Sequence, residues 1–337
     1  MTDVTLTGNI AARALGKRRL RPVEFLPLLA VCAAPLLGEQ YLPLATQIAI
    51  FIIFCLSLDL LVGYGGIVTI GHSVFFGLGA YTSGILSANG YGDPLTGLAA
   101  GAAVAATGSL LLGAFVLRVH GFTFLMVTLC SVFLMQEIAN KATGLTGGVD
   151  GLVGVSTQPL LGIFAFDLWG RTGFGYAVAV LAAAFLLVRL LMATPFGLSI
   201  VAIRDNRLRA AMVGIPVGTR LLALYVIAGS LAGVAGALQS QITQFVSINA
   251  IGFELSGEVL IMLALGGAGR IYGAFFGPIV YLVAQDVLSK SDPAFWHFWL
   301  GAMIVAVILF APGGIVGVAS RLGQASPLGR LLPGKGD

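Results

Sequence analysis

Residues 194–220 read TPFGLSIVAIRDNRLRAAMVGIPVGTR, the one place between two long apolar runs where charge gathers densely. Arg204, Asp205, Arg207 and Arg209 crowd together, while Leu198, Val201, Leu208, Met212 and Ile215 recur at steps that put them on one helical face. The i, i+4 spacing of Asp205 and Arg209 predicts an ion pair. Pro195 suits the entry turn of a helix, and Gly214 with Pro216 suits its end. The stretch therefore reads as a short amphipathic helix slung between two membrane spans, with an apolar stripe that a soluble partner can cover. The plainer alternative is a solvated connector whose arginines only fix topology. Such a connector needs no apolar stripe.

Outward from this hook the chain is built for lipid. Of its 337 residues 58% are hydrophobic and 9% charged, against about a quarter charged in soluble domains, and its mean hydropathy is +1.00. The net charge of +4 is spread between and beyond apolar runs rather than over one face, so it does not indicate nucleic acid. Cys32, Cys55 and Cys130 all lie in apolar runs and form neither a disulfide framework nor a metal-ligand spacing.

Apolar runs place spans at 25–42, 43–62, 66–89, 95–117, 121–139, 173–193, 220–243, 256–269, 271–289 and 296–314. The first and eighth are the weakest, and Gly266, Gly267 and Gly269 suggest a bend or half-span at the eighth. The predicted fold is an all-α membrane protein, a polytopic bundle of about ten transmembrane helices. Residues 1–24 form a cytoplasmic tail, 25–318 the membrane domain with its cytoplasmic loop at 194–219, and 319–337 a second cytoplasmic tail. The basic start with Lys17, Arg18, Arg19 and Arg21 looks like a signal sequence, but it lacks a clear cleavage site and reads as a tail before a retained span. With both termini inside, fifteen of the eighteen basic residues are cytoplasmic and only Lys141, Arg171 and Lys290 lie outside. The longest outer segment, 140–172, suits an ordered lid with a short interfacial helix around Leu160 to Trp169.

No phosphate-cradling G-x-x-x-x-G-K-[ST] motif, zinc-protease motif or nucleophile elbow occurs. The GGAGRIYG run at 266–273 fails as a dinucleotide fingerprint, because Tyr272 stands where the third glycine belongs. The chain thus does not read as an enzyme, and no catalytic residue, metal site or cofactor of its own is expected. Asp59, Glu137, Glu258 and Asp286 fall near predicted span ends, where a carboxylate is least costly. Carriers driven by protons or sodium usually keep carboxylates deep in the membrane, so energy is expected from outside the chain. A proton- or sodium-coupled secondary transporter stands as the alternative, and a passive channel as a third class.

A second rich stretch is residues 56–81, LSLDLLVGYGGIVTIGHSVFFGLGAY. Its glycines interrupt an apolar pattern that carries Asp59, Tyr64, Thr69, His72, Ser73 and Tyr81. Irregular backbone at membrane depth survives only beside protein or a water-filled cavity, and broken helices often line a solute route. Asp59, Tyr64, Gly65, Gly66, His72, Ser73, Phe76 and Tyr81 are the expected pathway residues. Simple helix packing is the alternative, and for His72 taken alone it is favoured. Gly97/Gly101, Gly229/Gly233 and Gly273/Gly277 are small-residue pairs at which helices can approach closely.

The run LDLLVGYGGIVTIGHSVFFGLGAY at 58–81 resembles the signature of LivM-type permeases of branched-chain amino acid ABC transporters. AIRDNRLRAAMVGI at 202–215 is similar to that family's cytoplasmic loop, and MLALGGAGRIYGAFFGPIV at 262–280 to its glycine-rich region. The resemblance runs from about Pro43 to Val318. It implies a permease of the bacterial inner membrane paired with a LivH-like second permease. It also implies two cytoplasmic ATPase subunits that use ATP and magnesium, and a periplasmic solute-binding protein. By the same resemblance, Arg204, Asp205, Asn206, Ala210, Ala211 and Gly214 contact the ATPase. Arg207 stands where relatives commonly carry Glu, and Ile67 where a polar residue is frequent. Related permeases also carry urea, short amides or aromatic acids.

Overall fold

The computed structural model describes residues 38–119, 121–159 and 170–310, together with Leu28, Val31, Gly314 and Gly317. The two expected tails, most of the first span and the interfacial helix around Leu160 to Trp169 lie outside the described residues. Within them the regular structure is helical, joined by short loops, apart from one antiparallel bridge between Leu152 and Val246.

The central element is α1, Leu42–Asp59, which meets no charged residue before Asp59 and is buried on nearly every face. An all-round apolar helix belongs inside a bundle, and α1 packs against α5 (Arg171–Ala193), α8 (Val217–Thr243), α9 (Phe253–Gly266) and α10 (Gly273–Ser291). After Asp59 the helix widens into a π-turn, Leu60–Tyr64, and residues 65–72 leave helical geometry before α2, Ser73–Ala88, begins. The span expected at 66–89 is therefore shortened at its start. The cause is local: Gly66 sits at φ +65, a conformation that glycine adopts without a Cβ clash.

Helix α3, Pro94–Val116, matches the expected 95–117 because its start is written in the sequence. Asp93 caps it by accepting from the Thr96 amide at 3.2 Å, with Pro94 at the first helical position. Helices α2, α3 and α8 touch backbone to backbone. A Cβ on Gly79 would lie 2.0 Å from the Gly233 carbonyl oxygen, and one on Gly236 would lie 1.9 Å from that of Phe76. A Cβ on Gly233 would stand 2.8 Å from the Gly101 carbonyl oxygen, so the two predicted small-residue pairs on α3 and α8 meet each other.

Helix α4, Phe122–Lys141, is largely exposed along one side. The segment after it folds back onto the end of α8, through the Leu152–Val246 bridge and the Thr157 hydroxyl, which donates to the Gln241 carbonyl at 2.9 Å. Helices α9 and α10 form a hairpin in which a Cβ on Gly277 would lie 1.9 Å from the Met262 carbonyl oxygen. Helix α11, Trp296–Phe310, follows. The 14 residues of α9 span about 21 Å at 1.5 Å each, less than a bilayer core, as the glycines at its end foretold. One repeat escaped the sequence reading. Phe75-Phe76-Gly77 and Tyr81 follow the first glycine break, and Phe275-Phe276-Gly277 and Tyr281 follow the second.

Candidate functional site

The arginine-rich hook is two helices. α6, Pro195–Asp205, begins at the predicted proline, and α7, Arg207–Met212, follows a break at Asn206, whose backbone is extended (φ −162, ψ 106). The Asn206 Oδ1 accepts from the Arg209 amide at 2.9 Å. Asparagine satisfies a helix start better than a helix interior, and here that preference overrides the continuous helix expected from the apolar spacing. The predicted stripe is corrected with it. Gly197, Ile200, Ile203 and Ala210 face the bundle, whereas Leu208, Met212 and Val213 are 69%, 76% and 79% exposed. Among the described residues no ion pair joins Asp205 to Arg209, because the break takes them out of helical register. Gly214, at φ +88, turns the chain into α8, and the Arg220 guanidinium lies 5.4 Å from the Phe196 ring centre. Ala211 is exposed beside the buried Ala210.

The hook is fastened to the first glycine break, and Asp59 at the end of α1 is fastened to the second. Arg204 Nη1 donates to the Gly63 carbonyl in the first break, and the Gly269 amide in the second donates to Asp59 Oδ1 at 2.7 Å. Asp59, Tyr64, Gly65 and Gly66, expected on a solute route, thus gather at this end of the bundle beside α6. A cavity of about 260 Å³ there is lined by Gly66, Leu117, Phe124 and Arg207.

His72 and Ser73 are buried where α2 starts. The Ser57 hydroxyl donates to the Phe54 carbonyl at 2.6 Å, so it accepts from His72 Nε2 at 2.8 Å, and this leaves His72 Nδ1 without a hydrogen bond among the described residues. The His72 ring stacks on Phe54 with centroids 5.6 Å apart. Ser73 closes on the first turn of α9: its amide donates to Ser256 Oγ at 3.0 Å and its hydroxyl to the Ile251 carbonyl at 3.1 Å. His72 and Ser73 line neither the cavity beside Gly66 nor the one beside Phe76. Tyr81 is buried too, and its hydroxyl has no partner among the described residues.

A cavity of about 250 Å³ opens beside these helix starts. Phe51, Phe76, Ala80 and Leu255 form an apolar wall. Gln47, Gln239, Ser240, Thr243 and Asn249 form a neutral polar one. Of the eight expected pathway residues, Phe76 alone lines this cavity. Sequence reasoning missed the polar wall, although Gln239 and Thr243 share a face at i, i+4 on α8 and Gln47 interrupts the apolar run of α1. A lining of this mixed kind suits a small solute that carries both apolar and hydrogen-bonding groups.

Comparison with known proteins decides the class. Residues 40–308 match the family of branched-chain amino acid transport system permease components. The chain belongs to that family. It is 27% identical to the high-affinity branched-chain amino acid transport system permease protein LivM of Escherichia coli (strain K12), covering 89% of this chain and 75% of that one. It is 29% identical to the autoinducer 2 import system permease protein LsrC of Enterobacter sp. (strain 638), covering 79% of this chain and 76% of that one. It is 27% identical to the L-arabinose ABC transporter permease protein AraH of Azospirillum brasilense, covering 76% of this chain and 70% of that one. No solved structure matches it significantly. A permease component of this family is an ABC-transporter subunit held in a membrane, and among the described residues five helices are long and apolar enough to cross one. All three motif stretches, at 58–81, 202–215 and 262–280, fall inside the matched residues.

Proposed function

We propose that this chain is the permease subunit of an ABC importer in a bacterial inner membrane, with both termini cytoplasmic and branched-chain amino acids as its solutes. The observation that carries the reading is the exposed α6–α7 knob, where Leu208, Met212 and Val213 stand in the open beside Arg207 and Arg209. Large apolar side chains displayed together on a charged turn mark a protein interaction site. In an ABC permease, the partner that needs such a site is the ATPase. A LivH-like permease, two ATPase subunits that consume ATP and magnesium, and a periplasmic binding protein complete the assembly. The sidedness follows from the fifteen-to-three distribution of basic residues.

Branched-chain amino acids suit the cavity between the starts of α2 and α9. Phe51, Phe76 and Leu255 offer an apolar wall for the side chain, and Gln47, Gln239 and Asn249 offer uncharged partners for the polar end. ATP-driven displacement of α6–α7 would then alternate access to that cavity. The test is uptake of labelled leucine, isoleucine and valine by vesicles holding the assembled transporter and its binding protein. Uptake should require ATP and persist when ion gradients are collapsed. Uptake that follows an imposed proton or sodium gradient without ATP would overturn the reading.

A further inference from the structure

Asp59 and Arg204 come from motifs far apart in sequence, yet both close on the same two loops. Asp59 Oδ1 accepts from the Gly269 amide of the second glycine break at 2.7 Å, and Arg204 donates to the Gly63 carbonyl of the first. The crossing admits no side chain: a Cβ on Gly63 would lie 2.0 Å from Asp59 Oδ1 and 2.3 Å from the Gly269 nitrogen. The stem of Arg204 runs over Gly66, whose Cβ position is 3.1 Å from its Cγ, and its Nη1 is 3.0 Å from the Cβ position of Gly269. Gly66 and Gly269 both have positive φ, +65 and +79. Asp59 is buried, and its second oxygen, Oδ2, has no hydrogen bond. A buried carboxylate oxygen left bare is costly. The nearby guanidinium is the group suited to relieve it.

We propose that Asp59 and Arg204 are positioning residues of a single joint, through which movement of α6–α7 shifts the two broken segments relative to each other. In the arrangement described, Arg204 holds the Gly63 carbonyl and Asp59 Oδ2 is vacant. When α6 shifts, the guanidinium transfers to Asp59 Oδ2 and releases Gly63. The π-turn after α1 and the loop before α10 then move with respect to each other. Two discrete settings of one charged pair are what a transporter needs to convert a displacement at its surface into alternate opening of a cavity. The joint rests on the reading of α6–α7 as the ATPase-facing segment.

The test uses the full assembly in proteoliposomes with its binding protein. It compares Asp59→Asn, Arg204→Gln and the double variant for ATPase recovery, ATP hydrolysis and solute moved per ATP. Asp59→Asn should retain its ATPase subunits, each single variant should lose roughly tenfold or more in solute moved per ATP, and the double variant should be no worse than either single. Unchanged coupling in the singles, or a double loss equal to the product of the two, would overturn the joint. Should Asp59→Asn fail to accumulate, Gly269→Ala keeps the amide but sets a methyl against the guanidinium; normal coupling in that variant also overturns it. Ala211→Glu separates the two ideas. Normal ATPase recovery in Ala211→Glu defeats the docking reading. Lost recovery there, with intact coupling in Asp59→Asn, defeats the joint alone.

Discussion

The Ser256 hydroxyl donates to Ser73 Oγ at 2.7 Å while accepting from the Ser73 amide at 3.0 Å, so the first turns of α2 and α9 hold each other directly. Ser256→Ala removes the acceptor and strands a buried amide. The expected loss is about 1–3 kcal/mol, seen as a lower unfolding temperature of the purified protein in detergent. An unchanged melting curve would show that this contact contributes nothing.

Glycines at helix crossings should divide sharply by what a methyl would meet. Gly236→Ala sets a Cβ 1.9 Å from the Phe76 carbonyl oxygen, whereas nothing lies within 4 Å of one on Gly257. Overpacking against rigid backbone costs about 1–3 kcal/mol or more, so Gly236→Ala should reduce the amount of folded protein in the membrane while Gly257→Ala should not. Fluorescence-detected gel filtration of the two variants makes the comparison; equal profiles would contradict the packing.

The polar lining of the cavity beside Phe76 and Leu255 is open to a kinetic test. Gln239→Leu and Asn249→Leu each delete one neutral hydrogen-bonding group of the lining. Uptake should show KM raised roughly three- to tenfold per group with little change in maximal rate. A KM equal to that of the unaltered transporter in both variants would move the solute route elsewhere.

On the exposed knob, a new carboxylate should abolish docking without disturbing the bundle. Ala211→Glu places it beside Leu208 and Met212, and Thr219→Glu places one on an exposed position outside that patch. Burying an unpaired charge in an interface costs several kcal/mol, enough to weaken association by orders of magnitude. ATPase recovery and uptake should fall for Ala211→Glu and hold for Thr219→Glu at equal expression. Equal recovery in both would leave the knob as a connector.

Sidedness is checked by thiol labelling. Cys130, which is exposed, and Cys32 are replaced first, while Cys55 is buried. A cysteine at Asn206 should then react with an impermeant reagent only in inverted vesicles, and one at Asp150 only from outside, both positions being exposed. Labelling of Asn206 from the outer face would reverse the topology.

The sequence was most legible where the governing interaction is local. Asp93 and Pro94 announce the start of α3 because a cap and a fixed φ need only adjacent residues. The small-residue pairs were readable for a similar reason, since nothing but close approach rewards them. Asn206 was harder, because an asparagine inside an apolar spacing reads as a polar helix position until its Oδ1 is seen on Arg209. The partner of Asp59 was beyond reach, being an amide 210 positions away. Gln239 and Gln47 were passed over because two polar residues in long apolar helices look like tolerated exceptions, and only the fold shows that they share a wall.

The contacts among α2, α3 and α8 have a mechanical consequence. Side chains can change rotamer to follow a sliding neighbour, but the Gly79–Gly233 and Gly236–Phe76 crossings offer only peptide groups pressed on peptide groups. Such a junction has no compliance. Sliding one of these helices past another would drive carbonyl oxygens into Cα atoms before any new packing was reached. The three helices therefore behave as one rigid unit, and the stroke of each transport cycle has to be taken up by the elements around them.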